Sequence, residues 1–313
     1  MAEAFGRSAT RRWWSVRRDG LRETNCIDIH RNEIIGDPPG EIKGAHRAKR
    51  EYRRYLPYSI VMPQGFSLAN FEAVLFDVDG TLVDSLEMII PGLGDAIEKF
   101  AGVRPSDEEI KSIVGLPMRT QFERYLGKSP SDDQLDEMID YSIARFEAYV
   151  DRETVFEPAV AVMRLCKSMD MATSLVTSKS AKELALFMKR FSGAEAVDAT
   201  VCASEVRHPK PAPDSALLAV EKLRVTPGQA VLIGDSIYDL RCARAAGIAN
   251  VAVGYGAATS DALLAEAPDL FIETPEALLD WAQRSFSNQH APQERTEHRI
   301  IDPDDSARSA GAA

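Results

Sequence analysis

Asp77 and Asp79 stand two residues apart at the end of an apolar run, in the stretch FEAVLFDVDGTLVDS at residues 71–85. Residues two apart on an extended chain point to the same side. Both carboxylates therefore converge on one point past the strand, and Gly80 lets the backbone turn away there. Two carboxylates held this close repel unless a cation joins them or one keeps a proton. The pair implies metal binding, acid–base chemistry, or both. A calcium-binding EF-hand loop is excluded by spacing, since it needs Gly at its sixth position and Glu at its twelfth. Counted from Asp77, Gly80 is fourth and the twelfth residue is Met88. Asp-Gly alone would equally mark a solvated turn, so the rest of the chain has to decide.

Three more segments carry polar residues of complementary kind. Thr177 and Ser178 end an apolar strand, Lys210 sits between prolines in HPKPAPD, and Asp235 and Asp239 follow VLIG in GDSIYD. Singly, each has an ordinary explanation: a helix cap, a solvated lysine, first-turn acids favoured by the helix dipole. All of them at a strand end or in the loop after one, in one chain, make coincidence a poor account. Parallel strands deliver such residues to one edge of a sheet, where α/β proteins bind ligands. The set reads as carboxylates for a cation, with a hydroxyl and an ammonium for an anion. Magnesium takes oxygen ligands, often one or two carboxylates with substrate phosphate.

The elements that must position these groups follow from periodicity. Ala73–Phe76 reads as a strand buried on both faces. Residues 87–156 are helical throughout, with no strand-like segment, a capping box at Ser106 and Glu109, and a long helix opened by Pro130 and Ser131. Gly115-Leu116-Pro117 interrupts this block as a loop. From Pro158 strands and helices alternate: helices at 159–169, 181–191, 214–223, 238–246 and 275–284, strands at 172–177, 199–203, 230–233, 251–253 and 270–272. That alternation predicts an α/β fold, a parallel sheet flanked by helices, with a small helical cap inserted after the first strand. The sheet-bearing core is expected over 69–86 and 157–285 and the cap over 87–156. A disordered extension is expected at 1–68 and a disordered tail at 286–313.

At 313 residues and 45% hydrophobic content the chain can bury a substantial core. A net charge of −11 argues against nonspecific nucleic-acid binding. Residues 1–68 run the other way, with thirteen Lys and Arg against eight Asp and Glu. Trp13 and Trp14 stand out there, and a basic arm for a partner is the alternative to simple disorder. Met62 lies just ahead of the first convincing strand and is an alternative translation start. Cys26, Cys166, Cys202 and Cys242 are far apart, which disfavours structural zinc and a disulfide framework and fits a reducing cytoplasm. No apolar run has the length of a membrane span, and the N-terminus lacks the apolar core of a secretory signal.

With DVDGTLVDS, VTSKS, KPAPD and GDSIYD in this order and spacing, residues 70–285 resemble a haloacid-dehalogenase-superfamily phosphatase. The branch most similar is that of phosphoglycolate phosphatases with a helical cap. The resemblance implies a Rossmann-like three-layer core, Mg²⁺, and hydrolysis of a small phosphomonoester through an aspartyl-phosphate. Asp77 would be the nucleophile and Asp79 the acid and base. Thr177 would hydrogen-bond the phosphoryl group, Ser178 would contact the substrate, and Lys210 would neutralise the group's charge. Asp77, the main-chain carbonyl of Asp79, and Asp235 would hold the metal, with Asp239 assisting. Ser178 stands where this branch often has Asn, and Ala159 where Gly is usual. The loop 115–119 is expected over the site, where Arg119 would meet a substrate carboxylate or simply face solvent. The substrate is expected to be a small phosphorylated metabolite, phosphoglycolate first, with neither nucleic acid nor membrane as partner, and the protein a monomer or homodimer. A sugar-phosphate mutase or a pyrophosphatase of the same build is the alternative activity. A catalytically idle binding protein is disfavoured by the intact set Asp77, Asp79, Lys210 and Asp235.

Overall fold

The computed structural model describes residues 66–287, with the backbone of four short strands nearer the N-terminus. The chain divides into two compact units, Met1–Pro57 and Tyr58–Ala313. Within the first, Val16–Arg18 pairs antiparallel with Leu21–Glu23, and Ile27–Asp28 with Glu33–Ile34. The extension read as disordered thus contains two strand pairs. The remainder of 1–65, and the tail expected at 286–313 beyond Ser287, lie outside the described residues.

The second unit is built on β1 (Ala73–Phe76), every residue of which is buried. Four apolar residues in a row suit a central parallel strand, covered on both faces. Alternation divides them: Val74 and Phe76 join one core with Met163, Leu278 and Trp281, while Ala73 and Leu75 join another with Ala216, Val220 and Cys242. Six parallel strands form the sheet in the order β8-β7-β6-β1-β4-β5. Here β4 is Ala172–Val176, β5 Ala199–Val201, β6 Ala230–Gly234, β7 Ala249–Val253 and β8 Leu270–Ile272. Helices α5 (Glu157–Ser168), α6 (Ala181–Arg190), α7 (Asp214–Leu223), α8 (Ile237–Ala246), α9 (Ser260–Ala265) and α10 (Pro275–Ser287) connect or follow them. The register sets Phe76 opposite Ile233 on one side and Leu175 on the other. The residues that follow these three strands therefore meet at one edge, where the chain order reverses about β1.

The cap comprises α1 (Leu86–Ala101), α2 (Asp107–Lys111), α3 (Met118–Leu126) and α4 (Asp132–Glu147). It has its own apolar cluster, including Leu93, Ile97, Ile110, Phe122 and Met138. The capping box at Ser106 and Glu109 forms as expected, and Ser131 forms another with Gln134. One expectation is corrected. The block 87–156 is not free of strand, because β3 (Thr154–Val155) pairs antiparallel with β2 (Val83–Asp84). This two-rung ladder ties the two crossings between cap and core. Among the described residues no helix is long and apolar enough to cross a membrane.

Candidate active site

Asp77 is the first residue past β1 and is 3% exposed. Its backbone N–H still donates to Ile233, so strand pairing fixes its position. Lys210 arrives from the Pro-flanked loop before α7 and is also buried. Its ammonium donates to Asp77 Oδ1 at 2.7 Å, Asp239 Oδ1 at 2.7 Å and the Val176 carbonyl at 3.0 Å. Three donors meet three acceptors, leaving no spare proton. Asp239 sits in the first turn of α8, whose N-cap is Ser236. Its other oxygen accepts from the Ser236 N–H at 3.1 Å and hydroxyl at 2.5 Å.

Asp235 is the first residue past β6, with a carboxylate oxygen within 4.8 Å of one on Asp77. It accepts from the Ala257 N–H at 2.7 Å and from the Thr81 hydroxyl at 3.4 Å. Two glycines make room for it. A Cβ on Gly80, whose φ is +77°, would lie 2.2 Å from Asp235 Oδ2, and one on Gly256 would lie 2.1 Å from it.

Asp77, Asp235 and Asp239 each offer a carboxylate oxygen, all within 4.8 Å of one another. Three buried carboxylates against one ammonium leave the site short of positive charge. Burial first, then Asp239 and Asp79, raise the Asp77 carboxyl to about 7 against the pull of Lys210. Burial and the same crowding push Asp235 well above the ordinary carboxylate range. For Lys210 burial acts downward, but Asp239 and Asp77 outweigh it and hold the ammonium charged. This donor set fits a hard divalent cation: oxygen atoms only, converging, with unbalanced negative charge.

Asp79 turns its carboxylate away from that cluster. It accepts from the Ser85 hydroxyl at 2.7 Å and from the Lys179 ammonium at 2.8 Å. Asp77 and Asp79 nevertheless line one cleft between core and cap, together with Ser178, Lys179, Gly115 and Met118. Thr177 is buried at the end of β4 and its oxygen accepts from the Lys179 N–H at 3.2 Å, so its hydroxyl proton stays available. Ser178 donates to the Gly115 carbonyl at 2.6 Å, which pins the interrupting cap loop to the core beside the site.

Of the two readings of Arg119, the surface one describes its placement and the substrate-binding one does not. Its guanidinium is held by Asp132 at 2.6 Å and the Pro130 carbonyl at 2.8 Å, and it does not line the cleft. The helix that starts at Met118 rotates the next residue out of the pocket and onto the loop before α4.

A model of the haloacid dehalogenase-like hydrolase family matches residues 74–253, which include every one of the carboxylates above. The chain belongs to that family. Among relatives of this hydrolase, the protein named as pyrophosphatase PpaX in Caldanaerobacter subterraneus subsp. tengcongensis is 32% identical over 70% of this chain and 97% of its own. Phosphoglycolate phosphatase of Salmonella typhimurium is 28% identical over 68% of this chain and 92% of its own. A solved haloacid dehalogenase-like hydrolase from Streptococcus pneumoniae superposes with a TM-score of 0.57 at 25% identity, covering 68% of this chain and 99% of that one.

Sequence reasoning passed over Lys179, Gly256 and Gln121 in this hydrolase. Lys179 stands inside VTSKS, where a lysine opening a helix reads as solvated, yet it is 8% exposed and paired. Gly256 lies in a loop with no motif, and only the room it leaves for Asp235 reveals it.

Proposed function

We propose that this hydrolase is a Mg²⁺-dependent phosphatase of small phosphomonoesters, working through an aspartyl-phosphate on Asp77. The observation that carries the reading is the buried Asp77 carboxylate at the end of β1, gripped by Lys210, with Asp79 on the same cleft two residues later. Asp77 attacks phosphorus, and the bond from phosphorus to the leaving oxygen breaks. Asp79 delivers the proton that this oxygen takes up, then as carboxylate accepts a proton from the water that cleaves the acyl phosphate. Water attack releases inorganic phosphate and restores Asp77. Lys210 offsets charge on the transferring group, and Thr177 donates a hydrogen bond to one of its oxygens. Asp77 and Asp235 would hold Mg²⁺, with the Asp79 carbonyl and Asp239 in support. When bound, the cation lets an anionic nucleophile approach a dianionic ester. Buried Cys166, Cys202 and Cys242, all free thiols, suit a cytoplasmic site of action. The same reading makes the partner a small phosphorylated metabolite, with no nucleic acid or membrane involved, and the enzyme a monomer or homodimer.

Asp77→Asn keeps size and removes the nucleophile. Phosphate release from a generic activated ester such as p-nitrophenyl phosphate, with Mg²⁺ present, should fall by about a thousandfold or more while circular dichroism stays unchanged. A folded variant that releases phosphate at a comparable rate would rule out the covalent route.

A further inference from the structure

The cap side of the cleft that Asp77 and Asp79 line is poor in usable cations. Its cap wall consists of Ile89, Val114, Leu116, Met118 and Phe146, with Gln121 as its polar side chain. Among the described residues lining the cleft, Lys179 is the one cation. Its charge is already committed: Asp79 lies at 2.8 Å, and Asp79, Glu183 and Glu153 together keep its ammonium protonated against burial. Glu183 itself lines the cleft. Arg119 is tied to Asp132 outside it. A second anion on the substrate would find carboxylates and hydrocarbon there, with no unmatched positive charge.

Gln121 adds a positive preference. It is 8% exposed, and its Nε2 donates to the Ile113 carbonyl at 3.2 Å and the Leu116 carbonyl at 2.9 Å. Carbonyls only accept, so these two bonds settle which end of the amide is nitrogen. No described residue donates to Oε1. An acceptor set in an apolar wall favours a ligand that brings a donor. A carboxylate or phosphate brings acceptors only, and would lose its hydration without replacement.

We propose that the substrate's leaving group is a neutral, hydroxyl-bearing alcohol whose hydroxyl donates to Gln121 Oε1, and that esters carrying a second anion are discriminated against. This rests on the phosphatase reading and replaces phosphoglycolate, the first expectation, with the ester of an uncharged polyol or sugar.

Matched pairs isolate the effect. 2-Hydroxyethyl phosphate differs from phosphoglycolate, and glycerol 3-phosphate from 3-phosphoglycerate, by a hydroxymethyl group in place of a carboxylate. With p-nitrophenyl phosphate as the generic control, kcat/KM for the hydroxyl member of each pair should exceed that of its partner by at least about tenfold. Gln121→Leu should lower the hydroxyl members and narrow the gap. Met118→Lys, which places an unmatched cation on the wall, should raise the carboxylate members relative to the hydroxyl ones. If the control ester is turned over, then parity, preference for the carboxylate members, or turnover of neither overturns the inference and leaves the phosphatase reading standing. If the control ester is not turned over either, the phosphatase reading itself fails.

Discussion

Asp235 is the residue on which the proposed cation site turns, because its position is set by packing rather than by the strand alone. One oxygen is fixed by the Ala257 N–H at 2.7 Å, and the carboxylate lies against the Cα atoms of Gly80 and Gly256. A methyl at either glycine would push the Asp235 carboxylate off the position in which the Ala257 N–H and the Thr81 hydroxyl hold it. Gly256→Ala is the cleaner test, because Gly80 also needs its positive φ. Displacing a ligand without deleting it should raise the Mg²⁺ concentration for half-maximal activity by about tenfold or more. It should cost much less at saturating metal, and a Mg²⁺ titration of variant and parent checks this. An unchanged half-point would mean that Asp235 is not set by this contact. The acids Asp77, Asp79, Asp235 and Asp239 and the lysine Lys210 were legible in the sequence because each follows an apolar strand or sits between prolines. Gly256 and Lys179 were not, since their roles depend on which distant side chains they touch. Arg119 stayed open between substrate and surface for the same reason. Residue type gave its chemistry, and only the helix phase showed that it faces Asp132.

Elements with end signals in their own residues were read closely. Ser180 with Glu183 and Ser236 with Asp239 form capping boxes that start α6 and α8. What escaped was short. The ladder of β2 and β3 has two rungs, too few for any alternation to show, and α9 spans six residues. Within the cap, one buried-edge acid ties the helices together. Asp95 on α1 accepts from Arg104 at 2.6 Å and from Arg145 of α4 at 2.7 Å. Burial acts to raise its carboxyl, but the two guanidinium groups outweigh it and hold its pKa below the ordinary 3.8. A folded value below the unfolded one contributes stability above the unfolded pKa, and that contribution is lost as pH falls through the folded one. Asp95→Asn should therefore cost about 1 kcal/mol at pH 7. The cost should shrink as pH drops below about 4. Thermal melts of parent and variant from pH 7 to pH 3 measure it. A gap that stays constant over this range would show that the contribution is not electrostatic.

On the scale of the whole molecule, charge and periodicity both change near residue 69, and a domain boundary was expected there. The described structure moves it toward the N-terminus. Leu68 is fully buried and its N–H donates to Ser285 at 3.0 Å. Phe66 stacks on Trp281 with ring centroids 6.2 Å apart and meets Phe71 at 5.6 Å. Composition missed this because a short apolar anchor next to a polar stretch has no period of its own. Its partners lie some two hundred residues away on α10. Two shortened chains separate anchor from extension. One that begins at Met62 keeps Phe66, Leu68 and Phe71 and should melt within about a degree of the full chain, with the same phosphatase rate. One that begins at Glu72 strips three apolar side chains from α10 and bares the face around Trp281. Each fully buried side chain of this size contributes about 1.5–3 kcal/mol. Two of the three are only partly covered, so the loss should be about 3 kcal/mol, or roughly 6–12 °C in Tm for a folded unit the size of residues 66–287. Equal losses from both truncations would place the stabilising contacts before Met62, and no loss from either would deny the Phe66–Phe71 anchor its weight.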